Sequence, residues 1–439
     1  MKVLWLCNLM LPEIAKAMNE NPSYTGGWMT GLLSDLQSQS GYQFAVCFPM
    51  THGKMDITGN TGKLQYYGFS FKSSLAEQIG TLEKRFIEIL NDYQPDVVHI
   101  FGTEYAHTLA MLEAGEKIGI AEKMVVSIQG MVSVYAQHYY GGIPTKDIFM
   151  FSLRDLIKRD NVYLAARDFQ RRGRLEARSI ELCRNVIGRT DWDKACTEQI
   201  NKDVRYFYCS ETLRDVFYKN RWSIKNCKRH SLFVSQWYNP IKGFHHVLYA
   251  IKILSEVYPD VHVYTTGDNP LDENIEKKMR RSHYANYIGK LIRQYRIENN
   301  VTFLGALNAE EMCKAYMNAH VFVSASSIEN SPNSLGEAMI LGVPTVSSDV
   351  GGVKNMLTHE QEGYIYPFDE PYMLAYYIGR IFANDECALV FSENAKQHAA
   401  VTHSKQKNSE RTCQIYNWIY HGTIEKVNSS EAYCSNSTQ

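Results

Sequence analysis

The stretch VFVSASSIENSPNSLGEAMILGVPTVSSD, residues 321–349, reads as strand, loop, helix and strand in succession. VFVSAS is an apolar run without alternation, as a strand buried on both faces requires. IENSPN follows its carboxyl end as a long polar loop. A helix is predicted from about Asn333 through SLGEAMILG, stopped by Gly342 and Pro344, and TVSSD is the next strand. Such units build parallel sheets whose ligands sit at the carboxyl ends of the strands.

The same alternation recurs on both sides of this stretch. After the stretch comes EGYIYPFDEP; before it lie LFVSQ, a helix from Gly243, HVYTTG, a helix around 274–296, VTFLG and a helix from Glu310. The front half repeats the pattern with strands at Val3–Cys7, 44–48, 97–101, 124–128, 185–189 and 204–209. Residues 150–183 interrupt it with one or two helices, and the polar, basic KNRWSIKNCKRH separates the halves. The fold class predicted is α/β, two Rossmann-like doubly wound parallel-sheet domains facing across a cleft. We expect a first domain at 1–212, a linker at 213–229, a second domain at 230–404, a helix at 405–421 packing back toward the first domain, and a flexible tail at 422–439.

Composition narrows the function class. The 439 residues are 45% hydrophobic and 21% charged, enough for two cores, and 46 basic against 47 acidic residues leave a net charge of −1. Nothing in that balance favours nucleic acid as a partner. No apolar run approaches the roughly 20 residues that cross a bilayer. Ten cysteines without CxxC or Cys/His metal spacing suit a reducing, cytoplasmic setting. GNTGKL at 59–64 and Gly53 lack the spacing of a P-loop, and no GxGxxG follows the first strand. The DxD at Asp191 and Asp193 reads as a helix start capped by Thr190, with Asp193 as its capping-box partner, rather than as a metal site.

Two carboxylates, Glu329 and Glu337, frame the polar loop. A helix N-terminus presents unpaired amides and partial positive charge, so Asn330, Ser331, Asn333 and Ser334 form a candidate phosphate cradle. Glu337, about one turn into the helix, is placed to accept hydrogen bonds from hydroxyls such as those of a ribose. Glu329 reaches a different part of the same ligand. The same residues also read as a cap and an acid complementing the helix dipole.

Glu329, seven residues, Glu337, then Ala338-Met339, Gly342-Val343-Pro344 and Gly351-Gly352 resemble the EX7E region of the GT-B retaining enzymes of glycosyltransferase family 4. Lys242-Gly243 in SQWYNPIKG, HVYTTGDNP and VTFLGALNAEEM resemble further segments of that family in order, and Gly26-Gly27 its front glycine loop. The resemblance implies a retaining transfer of a sugar from a nucleotide diphosphate, UDP-sugar favoured, to an acceptor hydroxyl of a glycan or lipid-linked glycan, with no metal or other cofactor. It implies that Lys242 neutralises the diphosphate, Gly243 admits it closely, Glu337 holds the ribose and Glu329 the donor sugar. It also implies that Asn333 and Ser334 offer amides to the phosphates, Leu307 meets the base, and Gly26 and Gly27 close from the opposite domain. Two departures stand out. The family's arginine before the lysine is replaced by Ser235, Gln236, Trp237 and Tyr238, and its His-Gly by Gln129-Gly130, for which His138 is a substitute candidate.

A GT-B epimerase and a non-catalytic partner subunit are the alternatives, the second because of the missing arginine. Tyr135, Tyr139, Tyr140 and Trp28 are candidates for the acceptor side, since aromatic faces suit sugar rings. The basic segment 149–178, with eight Arg and Lys among Phe149, Phe151, Leu153, Leu156, Ile157 and Phe169, fits peripheral contact with an anionic membrane or, more plainly, a solvated helix face.

Overall fold

The computed structural model describes residues 1–21, 26–39, 41–50, 55–70 and 75–422. Gly53 and the tail beyond Gly422 lie outside the described residues. Two parallel sheets form, as the alternation predicts. The first holds β1 (Lys2–Leu6), β2 (Gln43–Pro49), β3 (Ile57–Asn60), β4 (Gln65–Phe69), β5 (Val97–Phe101), β6 (Met124–Ser127), β7 (Asn185–Gly188) and β8 (Arg205–Tyr208). Their order is β3-β4-β2-β1-β5-β6-β7-β8, and β3, antiparallel to β4, is the exception to the parallel rule.

The second holds β9 (Ser231–Val234), β10 (His262–Thr265), β11 (Val301–Phe303), β12 (Val321–Ser324), β13 (Thr345–Ser348) and β14 (Tyr364–Tyr366) in the order β11-β10-β9-β12-β13-β14. Successive strands are added in one sense from β9 to β11 and in the other from β12 to β14, so the loops after the parallel neighbours β9 and β12 flank the switch point.

Two expectations change, and one hairpin was not foreseen. GNTGKL is the turn of the β3–β4 hairpin, with Thr61 N donating to Leu64 O at 3.0 Å; two short, glycine-bearing strands give too little apolar pattern to be read as sheet. The helix predicted over 274–296 is two, Ile275–Met279 and His283–Tyr295, because Ser282 caps a new start by accepting from Ala285 N at 3.1 Å. Segment 149–178 also divides. Its second part, the helix Val162–Leu182, lays Gly173 against Ser133, lends Val162 and Ala166 to the core shared with the second half, and pairs surface arginines with its own acids, as Arg171 does with Asp168 at 2.7 Å. It is a solvated structural helix, whereas the short helix Leu153–Lys158 leaves its apolar side chains outside.

The last helix, Lys405–His421, returns to the first sheet and completes the core on one face. Trp5 Nε1 donates to the buried Tyr416 hydroxyl at 3.0 Å, and that hydroxyl lies 2.6 Å from His99 Nδ1. Ile415 and Ile419 fill the space beside them. In the other direction, Tyr139, Ile143 and Ile148 of the first half join the core of the second, so the two domains share apolar packing as well as a cleft. Among the described residues no helix is long and apolar enough to cross a membrane.

Candidate functional site

The loops after β9 and β12 touch at the switch point, where Ser327 N donates to Ile241 O at 2.8 Å. Close approach demands glycine here. Gly243 has φ +65°, and a Cβ on it would stand 1.9 Å from Ala325 O; a Cβ on Gly351 would stand 1.9 Å from Glu329 O. Gly351 and Gly352 thus let the chain pass directly under Glu329 and Asn330, and Gly352 N donates to Glu329 O at 3.0 Å. These contacts are the physical content of the Lys-Gly and Gly-Gly pairs.

The result is a mostly buried loop bearing Glu329, followed by the helix Asn333–Leu341. Pro332 precedes the helix and has no side-chain hydrogen bond to offer it, so the first amides, of Asn333 and Ser334, have no capping side chain. Glu337 lies one turn further, on a helix buried from Leu335 to Leu341.

Between the domains runs a cleft of about 1090 Å³. Five residues singled out from the sequence line it: Gly26 on the first domain's side and Leu307, Asn333, Ser334 and Glu337 on the second's. Trp28 lines it too. Glu329 and Lys242 are not among the residues that line it; they hold each other, Lys242 Nζ 2.5 Å from Glu329 Oε1, with Ser326 Oγ donating to the same oxygen at 2.7 Å.

Asn330 and Ser331 are placed differently from expectation: they belong to the contact between domains. Asn330 N donates to the Tyr135 hydroxyl at 2.8 Å, its Nδ2 to Asp193 Oδ2 at 2.8 Å, and its Oδ1 accepts from Thr190 Oγ1 at 2.7 Å. Thr190 and Asp193 also form the predicted capping box of the helix Asp191–Ile200. His138 ends the helix Val132–His138, exposed, with its carbonyl accepting from Ser327 Oγ at 2.8 Å. Gly27 opens the helix Gly27–Gln37. The aromatic expectation is corrected in part: Tyr139 is buried against Phe169, and the Tyr135 hydroxyl is taken by Asn330, so neither lines the cleft.

Glu176 explains how the helix Val132–His138 is aimed. Its buried carboxylate accepts from Val132 N at 3.0 Å, Ser133 N at 2.8 Å and Thr103 Oγ1 at 2.7 Å, capping the helix from across the domain. Burial pushes this carboxyl above its ordinary range, and those donors hold it back.

The sequence reading missed the cations that reach the cleft. Arg214 lies in the stretch taken as a linker, yet its Nε and Nη2 donate to Glu337 Oε1 and Oε2, both at 2.8 Å. Burial raises the Glu337 carboxyl, and the Arg214 fork opposes that rise. Arg281, between two helices, also lines the cleft, with Nε and Nη2 unpartnered among the described residues. Arg189, buried behind the loop, bridges Glu211 Oε2 at 2.9 Å and Gln129 O at 2.9 Å. Glu211 Oε2 also accepts from Asn333 Nδ2 at 2.8 Å, which ties the helix start to the first domain. No local pattern signals such pairs, because their partners stand far away in sequence.

Two histidines after the Lys-Gly pair clasp the same carbonyl from the other domain: His245 Nε2 and His246 Nε2 lie 2.7 and 2.9 Å from Gly141 O. Burial pushes His245 down to about 3, so it is neutral at physiological pH.

Residues 217–398 match the family model described as glycosyl transferases group 1. Among curated proteins, a putative glycosyltransferase of Bacillus subtilis, YtcC, is 23% identical over 201 residues, 45% of this chain and 47% of its own length. An uncharacterized glycosyltransferase of Methanocaldococcus jannaschii is 30% identical over 131 residues, 30% of this chain and 33% of its own. The chain thus spans between a third and a half of these relatives' length. Sucrose-phosphate synthase from Thermosynechococcus elongatus superposes with a TM-score of 0.68 at 14% identity, covering 96% of this chain and 100% of that one. Anabaena Alr3699/HepE, solved in complex with UDP, gives 0.64 at 15% identity over 95% and 100%. At these identities the likeness shows the fold, which is GT-B.

Proposed function

We propose, on the premise that residues 217–398 match the glycosyl transferases group 1 domain, that the chain is a retaining glycosyltransferase of family 4 type. It takes a hexosyl or N-acetylhexosaminyl group from a UDP-sugar and delivers it to a hydroxyl of a glycan or lipid-linked glycan in cell-surface polysaccharide synthesis. The observation that carries this reading is the cleft itself, with Gly26 on one side and the start of the helix Asn333–Leu341 with Glu337 on the other. UDP as the nucleotide is supported by the UDP-bound Anabaena neighbour.

In this reading Glu337 holds the ribose hydroxyls while Arg214 fixes the direction of its carboxylate. The amides of Asn333 and Ser334 take the diphosphate, and Leu307 meets the base. The Lys242–Glu329 pair separates on donor entry, Lys242 turning to the diphosphate and Glu329 to the donor sugar. As the glycosidic bond breaks, negative charge grows on the departing diphosphate, and Lys242 and the helix amides stabilise that growth without reorganising. The acceptor hydroxyl attacks the anomeric carbon on the face from which the diphosphate departs and passes its proton to the departing phosphate oxygen, with donor and acceptor held in one water-poor cleft and His138 the candidate to orient the incoming hydroxyl. The stretch 213–229 serves as the linker about which the domains close.

A thermal-shift titration tests the reading. UDP and a UDP-sugar should raise the melting temperature and Glu337→Ala should remove the shift, since a ligand at 100 times its Kd stabilises a fold by about 2.7 kcal/mol. A chain that binds no nucleotide overturns the enzyme reading. Turnover of donor with no acceptor product points to an epimerase instead.

A further inference from the structure

We propose that the face built by residues 149–158 is a docking surface for an anionic lipid bilayer, which sets the mouth of the interdomain cleft at the membrane. Six of the nine residues from 149 to 157 are large, apolar and exposed: Phe149, Met150, Phe151, Leu153, Leu156 and Ile157. Ile157 is 84% exposed and Leu153 64%. Single apolar residues on a surface need no cause, but six within nine positions mark a contact face.

This run is held in place by polar anchors on its inner side, the inverse of a water-facing surface. Ser152 and Asp155 form a capping box, and buried Asp155 Oδ2 accepts from His283 N at 2.7 Å across the domain boundary. Asn161 Nδ2 donates to Met150 O at 3.1 Å, and His283 Nε2 lies 3.1 Å from Asp147 Oδ1. The apolar side chains are therefore presented outward by a fixed backbone.

Charge names the occupant. Asp147, Asp155 and Asp160 are all engaged, with His283 or Arg154, whereas Lys146, Lys158 and Arg159 are exposed and without ion pairs among the described residues. Apolar side chains rimmed by free cations suit the boundary between anionic headgroups and acyl chains. A second copy of this chain fits less well, because a two-fold contact through this face would bring its own cations together. Arg154, between the exposed Leu153 and Leu156, lines the cleft, so the surface and the cleft mouth are adjacent. The orientation bears on the acceptor of the transfer proposed above, but lipid binding is measured without nucleotide and stands separately from that reading.

The test is flotation of the full chain with phosphatidylcholine vesicles, with and without phosphatidylglycerol. The chain should float with the anionic vesicles, stay behind with the neutral ones, and be released as salt shortens the Debye length. Leu156→Glu with Ile157→Glu, and separately Lys158→Glu with Arg159→Glu, should each lower the vesicle-bound fraction about tenfold or more. Val257→Glu, at an exposed apolar position elsewhere, should leave it unchanged, and thermal melts confirm that each variant folds. A wild-type chain that stays below the anionic vesicles overturns the proposal. So does a dimer that the Leu156/Ile157 variant splits while flotation is unaltered.

Discussion

Arg214 and Glu337 meet in a two-pronged ion pair although 123 positions separate them, each nitrogen 2.8 Å from its own carboxylate oxygen. The pair joins the segment between the sheets to the helix at the cleft, and the guanidinium also lies 4.8 Å from the Phe217 ring centroid.

Arg214→Ala leaves the buried Glu337 carboxylate without its partner, and removing one member of a buried pair costs about 3–5 kcal/mol. Arg214→Lys should recover part of the stability but little nucleotide affinity, because an ammonium does not reproduce the fork that fixes the carboxylate. Urea unfolding and UDP titration, run on both variants, separate the two effects. Equal UDP affinity in Lys and wild-type proteins would remove Arg214 from the site.

Lys242→Ala is expected to lower kcat by about 100- to 1000-fold with a smaller change in donor KM, as loss of a charge that acts on the leaving group does. Glu329→Gln should also lower kcat. Steady-state kinetics with a UDP-sugar decides; a change confined to KM would make Lys242 a ground-state contact only.

Gly351→Ala combines φ +51° with a Cβ 1.9 Å from Glu329 O, whereas Gly62→Ala adds a Cβ at φ +91° with nothing within 4 Å. Backbone strain alone costs about 1–3 kcal/mol. The Gly351 variant should exceed that in a melting experiment and lose activity even below its melting temperature, because Glu329 must move. Similar penalties for both variants would contradict the close packing under the loop.

Stability should fall on mild acidification. Burial pushes His99, His107 and His245 down to about 3 and His320 and His403 to about 4, from an ordinary 6.5. The unfolded chain therefore binds more protons between about 4 and 6.5, so stability rises with pH through that window and is lost as pH falls. Each such group contributes about 1.4 kcal/mol per pH unit. Burial lowers His246 and His262 as well, whereas Asp35, Glu176 and Glu337, raised by burial, act in the opposite sense but are three against seven. Urea midpoints that do not change from pH 7 to pH 5 would rule this out.

The two-domain architecture was legible because buried parallel strands such as Val97–Phe101 and Val321–Ser324 are continuous apolar runs between helical periods. That Glu337, Asn333 and Ser334 face the cleft was legible because the loop-to-helix junction has its own local chemistry, whereas Leu307 was reached only through the resemblance of its segment. Arg214, Arg189 and Arg281 were not, since a cation's partner is fixed only when the chain folds. Asn330 misled for the same reason: a polar residue in a polar loop looks the same whether it awaits a ligand or another domain.

The return of Lys405–His421 to the first sheet means that the chain passes between domains twice, and the two passages lie side by side. His403 Nδ1 lies 2.9 Å from Glu211 O, and the Tyr218 hydroxyl donates to His403 O at 2.7 Å. A single tether permits swivelling in any direction; two adjoining ones act as a door with paired pins and leave one axis of swing. Glu211 belongs to that paired crossing and, through Asn333, to the cleft, so one residue ties the place where the chain changes domains to the wall of the site.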